Sequence, residues 1–433
     1  MRGLICLLGL SFGLSLPTAG VAQEAKPFGY PAGKHGKGEL KYVGNVPVLL
    51  LEGTAAEMGE QIGKLAAGPA AQHPKPALYD FPRDYFRHEL TSEVRRQFPK
   101  MPAAGVKFAV AVMEPGMWAN FQKIAGDLKP NFPKDQLAEL EALIEAGGLD
   151  PKHLIASNGM FDLGHLSPKQ LGFGCSSVII PPQHSAKGGL LFGRNLDYFH
   201  FGYLHQYSLL MVYRPSDKTP SGKAKHRFVS AGFPGLVGSF TGMNDAGLTI
   251  ASHDVLEPNT TTLFNPKGVP FAMAYRRVLE ECETVGDALK LLDSMERASV
   301  TSLVIADPTG GAVIEVTPDT LSVRRFKDKP GVCTNHFCTV VNPKQQDLFA
   351  TTTRFKNLEK LVAVKKDEKF GIDEVKSQLG VADLRDDDKT ELTIQTFVFE
   401  PATRTVHLNF GDGKVPATKG KLTKIELKGI WGK

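Results

Sequence analysis

The stretch Phe173-Gly174-Cys175-Ser176-Ser177, with Gly193-Arg194-Asn195-Leu196-Asp197 beginning eighteen residues after the cysteine, constrains this 433-residue chain more than any other. Gly174 lets the backbone take a strained conformation at the carbonyl just before the thiol. Ser177 to Ile180 reads as a short strand. Leu190 to Gly193 reads as its antiparallel return through Pro181 to Gly189, which carries Arg194 and Asp197, in a strand-to-loop turn, back toward Cys175. A thiol is mostly protonated at neutral pH and needs a base. The α-amino group of the same residue, once released from its peptide bond, has a suitable pKa of about 7.7 to 8.0. Arg194 would lower the thiol pKa and Asp197 would orient the ammonium. Taken singly, Gly-Cys-Ser-Ser is also an ordinary turn into a strand, and Arg-x-x-Asp an ordinary surface ion pair; the pairing of the two segments is what points to a nucleophile.

The first residues read as an address. Arg2 is followed by the apolar run Leu4 to Leu16, too short to span a bilayer, and Gly20-Val21-Ala22 supplies small residues for cleavage. Residues 1–22 are therefore expected to be a signal peptide, the protein to be exported to the periplasm or secreted, and no stable membrane insertion to remain. The net charge of +5 is modest, and Lys414, Lys419, Lys421, Lys424, Lys428 and Lys433 read as a solvated tail. Without a basic block interleaved with aromatics, nucleic acid is not an expected partner.

Removal of Cys6 with the signal peptide leaves Cys175, Cys282, Cys333 and Cys338. In an oxidising compartment four cysteines suggest two disulfides, yet 42% apolar content supplies a core large enough to keep free thiols. Cys333 and Cys338 are the pair close enough in sequence to bridge. No Cys-x-x-Cys occurs, and His200 and His205 are too loosely spaced for ligands, so neither a metal nor an organic cofactor is expected. The Gly-x-Ser-x-Gly, His-Glu-x-x-His and phosphate-loop signatures are also missing.

Two halves are legible. Residues 23–172 are mostly helical, with helices expected at Ala55 to Ala66, Ala104 to Ala125 and Lys134 to Glu145, the last stopped by Gly147-Gly148, and one β-like segment at Val46 to Glu52. From Ser176 onward short strands dominate, at Tyr207 to Tyr213, Phe228 to Ala231, Leu248 to Ser252, Ser302 to Ala306, Ala312 to Val316 and Leu321 to Arg325. Helices are expected near Phe271 to Glu283, Val285 to Arg297 and Arg354 to Val364, and a closing hairpin joins Thr393 to Phe399 with Thr405 to Phe410. Grouped strands and grouped helices imply α+β layers. Leu384 to Lys389 is a charged loop. Phe199, Phe201, Tyr203 and Tyr207 read as core, with an acyl pocket as the other possibility.

Later segments add candidates. Gly242-Met243-Asn244-Asp245-Ala246-Gly247-Leu248 is a tight turn with Gly247 at positive φ. In Thr334-Asn335-His336 the Asn335 amide can donate to the oxyanion of a tetrahedral intermediate. Thr351-Thr352-Thr353-Arg354 opens a helix whose N-terminal N–H groups and guanidinium favour an anion.

In this order, Gly-Cys-Ser-Ser, Phe-Gly-Arg-Asn-Leu-Asp-Tyr, Gly-Met-Asn-Asp-Ala-Gly-Leu, Thr-Asn-His and Thr-Thr-Thr-Arg resemble the isopenicillin N acyltransferase-like (acyl-CoA:6-aminopenicillanic acid acyltransferase) family of N-terminal nucleophile hydrolases. That group also contains acid ceramidase and the conjugated bile acid and penicillin V acylases. Leu51-Glu52-Gly53-Thr54 and Met58-Gly59-Glu60-Gln61-Ile62-Gly63 resemble its pro-segment opening. The resemblance implies a four-layer αββα fold and a precursor cut between Gly174 and Cys175 into a pro-segment (23–174) and a catalytic chain (175–433) that stay associated. It implies attack by Cys175 on a small-molecule N-acyl amide, with Arg194, Asp197, Asn335 and Arg354 as partners. Asn244, His253 and His336 are further oxyanion or substrate candidates; relatives tend to carry an Asn where this chain reads Ala251-Ser252-His253-Asp254. Two other classes compete: a papain-like thiol hydrolase with His336 or His253 as base and Asn335 as orienter, and a non-cleaving binding protein of the same fold.

Overall fold

The computed structural model describes residues 29–72, 80–165, 174–255, 258–260, 262–343, 347–363, 369–384 and 391–431. The expected signal peptide at 1–22, Phe173, and residues 385–389 of the charged loop lie outside the described residues.

Two sheets carry the architecture. The larger runs β1 (Gly33–His35), β2 (Gly38–Val43), β3 (Val46–Gly53), β6 (Leu209–Pro215), β7 (Phe228–Gly232), β8 (Thr241–Asn244), β9 (Thr249–Asp254), β10 (Thr301–Asp307), β11 (Gly310–Val316) and β12 (Leu321–Phe326). The smaller runs β13 (Gly331–Cys333), β4 (Gly174–Ile180), β5 (Leu191–Phe199), β14 (Glu391–Glu400), β15 (Thr405–Phe410) and β16 (Thr423–Glu426). Neighbours are antiparallel except β3 and β6, which pair in parallel.

Helices cover both outer faces. On the larger sheet lie α1 (Ala55–Ile62), α5 (Lys134–Gly147) against α1, α7 (Phe271–Glu281) and α8 (Val285–Asp293). On the smaller lie α9 (Thr351–Val362) and α10 (Ile372–Leu379). The short α2 (Gly68–Gln72) follows α1, α3 (Asp80–Gln97), α4 (Ala103–Leu128) and α6 (Pro151–Gly164) pack together, and α11 (Leu427–Trp431) ends the described chain. The expected αββα layering is the one observed.

Alternation along the strands explains the layers. In β4, Val178 and Ile180 meet Leu358, Val375 and Leu379 of α9 and α10, whereas Cys175 and Ile179 join the core between the sheets. Strands buried on both faces read as nearly continuous apolar runs, which is why most of them were legible. At Gly193 any Cβ would sit 2.7 Å from Val178 and Val375, so glycine lets α10 close onto β5. Gly247 adopts φ 88°, as the turn pattern required.

Three expectations change. The mostly helical first stretch holds more strand than the segment expected at Val46 to Glu52: β1 and β2 precede β3 in the larger sheet, and β3 pairs with β6. Strands β1 and β2 are short and mostly polar, with β1 at the sheet edge, and carry little apolar signal. Helices α3 and α6 were not read, because α3 is strongly polar and α6 is buried on nearly all sides, so neither shows a clean amphipathic period. Strand β5 runs on to Phe199, which places Arg194 and Asp197 inside a strand rather than in a turn.

Candidate active site

Cys175 occupies the second position of β4, opposite Leu196 of β5, and is fully buried. Its main-chain N–H donates to Asn335 Oδ1 at 2.8 Å, and its carbonyl accepts from Arg354 Nη1 at 2.7 Å. Arg354 Nη2 also reaches Asn335 Oδ1 at 2.7 Å, while Nη1 lies 2.9 Å from Ser176 Oγ and 3.4 Å from Asp197 Oδ2. The main-chain amide and carbonyl of one residue are thus held by side chains from distant parts of the chain.

Local backbone explains how Arg354 arrives there. Phe349 and Ala350, both non-glycine, sit at φ 51° and 48° just before α9, a strained pair of the kind that persists where surrounding structure enforces it. Arg354 Nε donates to the Phe349 carbonyl at 2.8 Å across this kink. Thr351 Oγ1 accepts from the Asn335 N–H at 2.8 Å, so the start of α9 also fixes the Asn335 loop.

Arg194 and Asp197 flank Cys175 from opposite faces of β5, because residues three apart in a strand point to opposite sides. Arg194 faces the larger sheet: Nε donates to Thr241 Oγ1 at 3.3 Å, and Nη1 lies 3.5 Å from His253 Nε2. Its Nη2 is buried and has no hydrogen-bond partner among the described residues. Asp197 faces the helix side, where it meets Arg354 and accepts from Thr393 Oγ1 at 2.5 Å. Burial raises the Asp197 carboxyl pKa against the pull of Arg354, Thr393 and Arg194. The thiol of Cys175 is pushed up to about 12, chiefly by burial, with Arg194 opposing and Asp197 reinforcing the shift. In the continuous chain it is a neutral thiol.

His253 joins this cluster. Its Nε2 lies 2.8 Å from Ser177 Oγ in the gap between the sheets. Burial, then Arg194 and Arg354, pushes its pKa well below the usual value, so the ring is neutral and keeps one N–H to donate. His336 sits apart: its Nδ1 engages Thr351 and Thr334 hydroxyls, and its ring packs edge-on against Phe355. Burial, with Arg324 and Arg354, takes it down to about 4. Asn244 does not enter the site. Its amide donates to the Leu279 and Cys282 carbonyls and its Oδ1 accepts from the Leu248 N–H, so it ties the β8–β9 turn to the end of α7.

Two expected roles change with the geometry. Asn335 was read as an oxyanion donor, but its Nδ2 is committed to the Asp254 carbonyl at 2.8 Å, and its oxygen serves the Cys175 nitrogen. The N-terminus of α9 was read as an anion site; Asp347 already fills it, accepting from Thr352 N–H and both Thr352 and Thr353 hydroxyls at 2.6 Å. Although burial opposes it, these bonds hold the Asp347 carboxyl down to about 2. Ser177, Thr241, Asp254 and Thr393 support the site without having been singled out; two serines in an otherwise apolar, fully buried strand were the available signal. All four described cysteines are free thiols, Cys333 and Cys338 included. Among the described residues no cluster of three or more His, Cys, Asp or Glu side chains is arranged to hold a metal ion.

Of the aromatic run after Asp197, Phe199 and Phe201 stack on each other and meet the His88 ring at a tilt, packed as core. Tyr198 instead lines a small apolar cavity with Phe81, Met160, Phe161, Phe233 and Leu236.

Comparison with known proteins bears on this constellation. Over 157 residues the chain is 27% identical to an uncharacterized protein of Archaeoglobus fulgidus, covering 35% of this chain and 25% of that protein. Over 258 residues it is 23% identical to protein dcd1A of Dictyostelium discoideum, covering 58% and 54%. The chain therefore spans about half or less of the length of these curated relatives. A crystal structure of conjugated bile acid hydrolase from Clostridium perfringens superposes with a TM-score of 0.44 and 16% identity, over 60% of this chain and 94% of that one. The family described as acyl-coenzyme A:6-aminopenicillanic acid acyl-transferase matches residues 184–414, a stretch that begins nine residues after Cys175 and contains Arg194, Asp197, His253, Asn335 and Arg354. With just over half of its length matched, this chain belongs to the acyl-coenzyme A:6-aminopenicillanic acid acyl-transferase family.

Proposed function

We propose that this protein is a thiol amidohydrolase or acyltransferase that activates itself by cutting between Gly174 and Cys175, and that it then acts on a small-molecule N-acyl amide. One observation carries the reading: the main-chain nitrogen of a buried cysteine is held by a dedicated side chain, Asn335 Oδ1 at 2.8 Å. Any buried N–H needs an acceptor, but here it is a side chain rather than the main chain of β13, so the same oxygen can go on holding the nitrogen once it becomes an amine.

In the precursor the Cys175 sulfur adds to the Gly174 carbonyl carbon. The Gly174–Cys175 C–N bond breaks, the nitrogen takes a proton, and Gly174 is left as a thioester on sulfur. Water hydrolyses that thioester, releasing the Gly174 carboxylate and a free thiol beside a free α-amine. With an ordinary pKa of about 7.7 to 8.0, the amine can now take the thiol proton as a general base. The thiolate attacks the substrate carbonyl, the C–N bond breaks, and the leaving amine departs with the proton. Water then resolves the acyl-enzyme to the acid, or a second amine resolves it by transfer. Arg194, whose buried Nη2 has no hydrogen-bond partner among the described residues, supports the reading as the donor for the developing oxyanion.

The apolar cavity at Tyr198 supports an apolar acyl group, since Tyr198 lies two residues beyond Leu196 on the same face of β5. Association of the two pieces is supported by Arg276 and Lys225 of the catalytic half, which hold Glu139 and Asp135 of α5. Export rests on residues 1–22. A thiol–imidazole mechanism has less support, because His253 is turned to Ser177 and His336 to Thr351.

The test is a denaturing gel with N-terminal sequencing of the purified chain and its Cys175→Ala variant. A C-terminal fragment beginning Cys-Ser-Ser, absent in the variant, is the expected result. A single intact wild-type chain that still turns over amides would overturn the mechanism.

A further inference from the structure

His165 follows α6 directly and stands ten residues before Cys175. It is fully buried, and its Nε2 lies 3.3 Å from Asp254 Oδ1, itself at 1% side-chain exposure. Asp254 ends β9 next to His253, and the two side chains point to opposite faces: His253 into the gap between the sheets, Asp254 toward the helical layer. The Asp254 carbonyl is the acceptor for Asn335 Nδ2, and Asn335 Oδ1 is the acceptor for the Cys175 N–H. A path of contacts thus runs from an imidazole of the pro-segment to the nitrogen of Cys175.

The surroundings of the ring show why its charge matters. Asp162, three residues earlier on α6, accepts from the Phe271 N–H that opens α7 and from Ser299 Oγ at 2.5 Å. Ser299 lies two residues before Thr301, the cross-strand partner of Asp254. The groups facing this cluster are Asp162 from α6, Asp254 from β9, Tyr85 from α3, Tyr198 from β5, Tyr275 from α7 and the Val300 carbonyl. Two carboxylates therefore share one imidazole away from water, where an uncompensated charge is costly. Burial alone would keep the ring neutral, but Asp254 and Asp162 outweigh it and raise its pKa. Burial likewise pushes the Asp162 carboxyl up to about 6, so at acid pH the cluster approaches one cation facing one anion.

We propose that His165 is a positioning residue for Cys175: its ring, 3.3 Å from the Asp254 carboxylate, anchors Asp254, whose carbonyl orients Asn335, which in turn holds the Cys175 nitrogen. The inference rests on Cys175 being the nucleophile, and it makes the pro-segment a working part of the site. A group whose folded pKa is raised contributes fully at low pH and loses its contribution as pH rises through that pKa. Processing should therefore be fastest on the acid side and fall as His165 deprotonates.

The experiment follows appearance of the Cys175-initiated fragment from the full chain across an acid-to-alkaline pH series, for wild type, His165→Gln, His165→Lys and Asp254→Asn. The underlying reading fails if wild type is not cut or if Cys175→Ala is cut. Given a cut, the inference expects His165→Gln to slow it roughly tenfold or more and to flatten the pH profile. His165→Lys, which keeps its charge to higher pH, should move the alkaline fall upward. The double variant His165→Gln/Asp254→Asn should be no slower than the slower single one. A wild-type rate that does not fall toward alkaline pH overturns the proposal without any variant, and so does identical behaviour of His165→Gln and His165→Lys.

Discussion

Arg276 and Arg194 are both buried arginines, at 2% and 0% exposure, and they live in opposite conditions. Arg276 on α7 forms a two-pronged pair with Glu139 at 2.8 and 2.5 Å, bonds Glu280 at 2.8 Å and the Val237 carbonyl at 2.8 Å, and lies over the Tyr213 ring at 4.6 Å. Arg194 on β5 has a threonine hydroxyl, a neutral imidazole and one nitrogen with no partner; among the described residues no carboxylate pairs with it. The first charge is committed to joining α5 to α7. The second is left in reserve beside Cys175, an arrangement that costs stability and makes sense where charge develops during a reaction.

The contrast breaks most readily at Arg276. Arg276→Ala leaves Glu139 and Glu280 buried without their cation and should cost about 3–5 kcal/mol, read by urea or thermal unfolding. A loss below about 1 kcal/mol would mean the cluster is not the clamp described. Arg194→Met strands no carboxylate, so stability should stay within about 1 kcal/mol of wild type or improve, while amide turnover falls roughly 10²- to 10³-fold. Equal losses of stability and activity would erase the distinction between the two arginines. Ser177→Ala removes the hydroxyl beside His253 and should cost about 1–3 kcal/mol, since that buried nitrogen loses its nearest partner. Asp347→Ala, at the filled anion position of α9, is the smallest effect, about 1 kcal/mol. The Asp347 carboxyl is depressed in the folded protein, so its contribution is complete above the unfolded value of about 3.9 and fades as pH falls through about 2. A wild-type-minus-Asp347→Ala difference that persists below that range would contradict the assignment.

Much of the fold was open to reading because its signals are local. The strands from Ser177 to Ile180, Phe228 to Ala231 and Ala312 to Val316, the αL stop at Gly148 and the hairpin after Glu400 each depend on a few neighbouring residues. The mostly polar strands before Val46 and helices α3 and α6 lack that local periodicity. In the site, Cys175, Arg194, Asp197, Asn335 and Arg354 were found as residues and do converge. Their relations are harder to read: Asn335 is expected as a donor to the oxyanion and instead accepts from the Cys175 nitrogen. Asn244, in an equally suggestive turn, serves only that turn and α7. The lysines read as a solvated tail include Lys414, Lys419, Lys421 and Lys424, which line an open groove beside Asn45 and His205.

From sequence alone the chain's chemistry could be drawn up: a glycine before a thiol, an arginine and an aspartate within a few residues, and an asparagine and a second arginine far downstream. Backbone sterics, turn chemistry and apolar period act over a handful of residues, so such features survive in one dimension. Which face of β5 each charge occupies, which amide oxygen meets the Cys175 nitrogen, and that His165 and Asp254 stand behind it were decided by tertiary structure. Those contacts join residues separated by as many as 196 positions, and sheet register and helix docking bring them together through the burial of surfaces that no local pattern encodes.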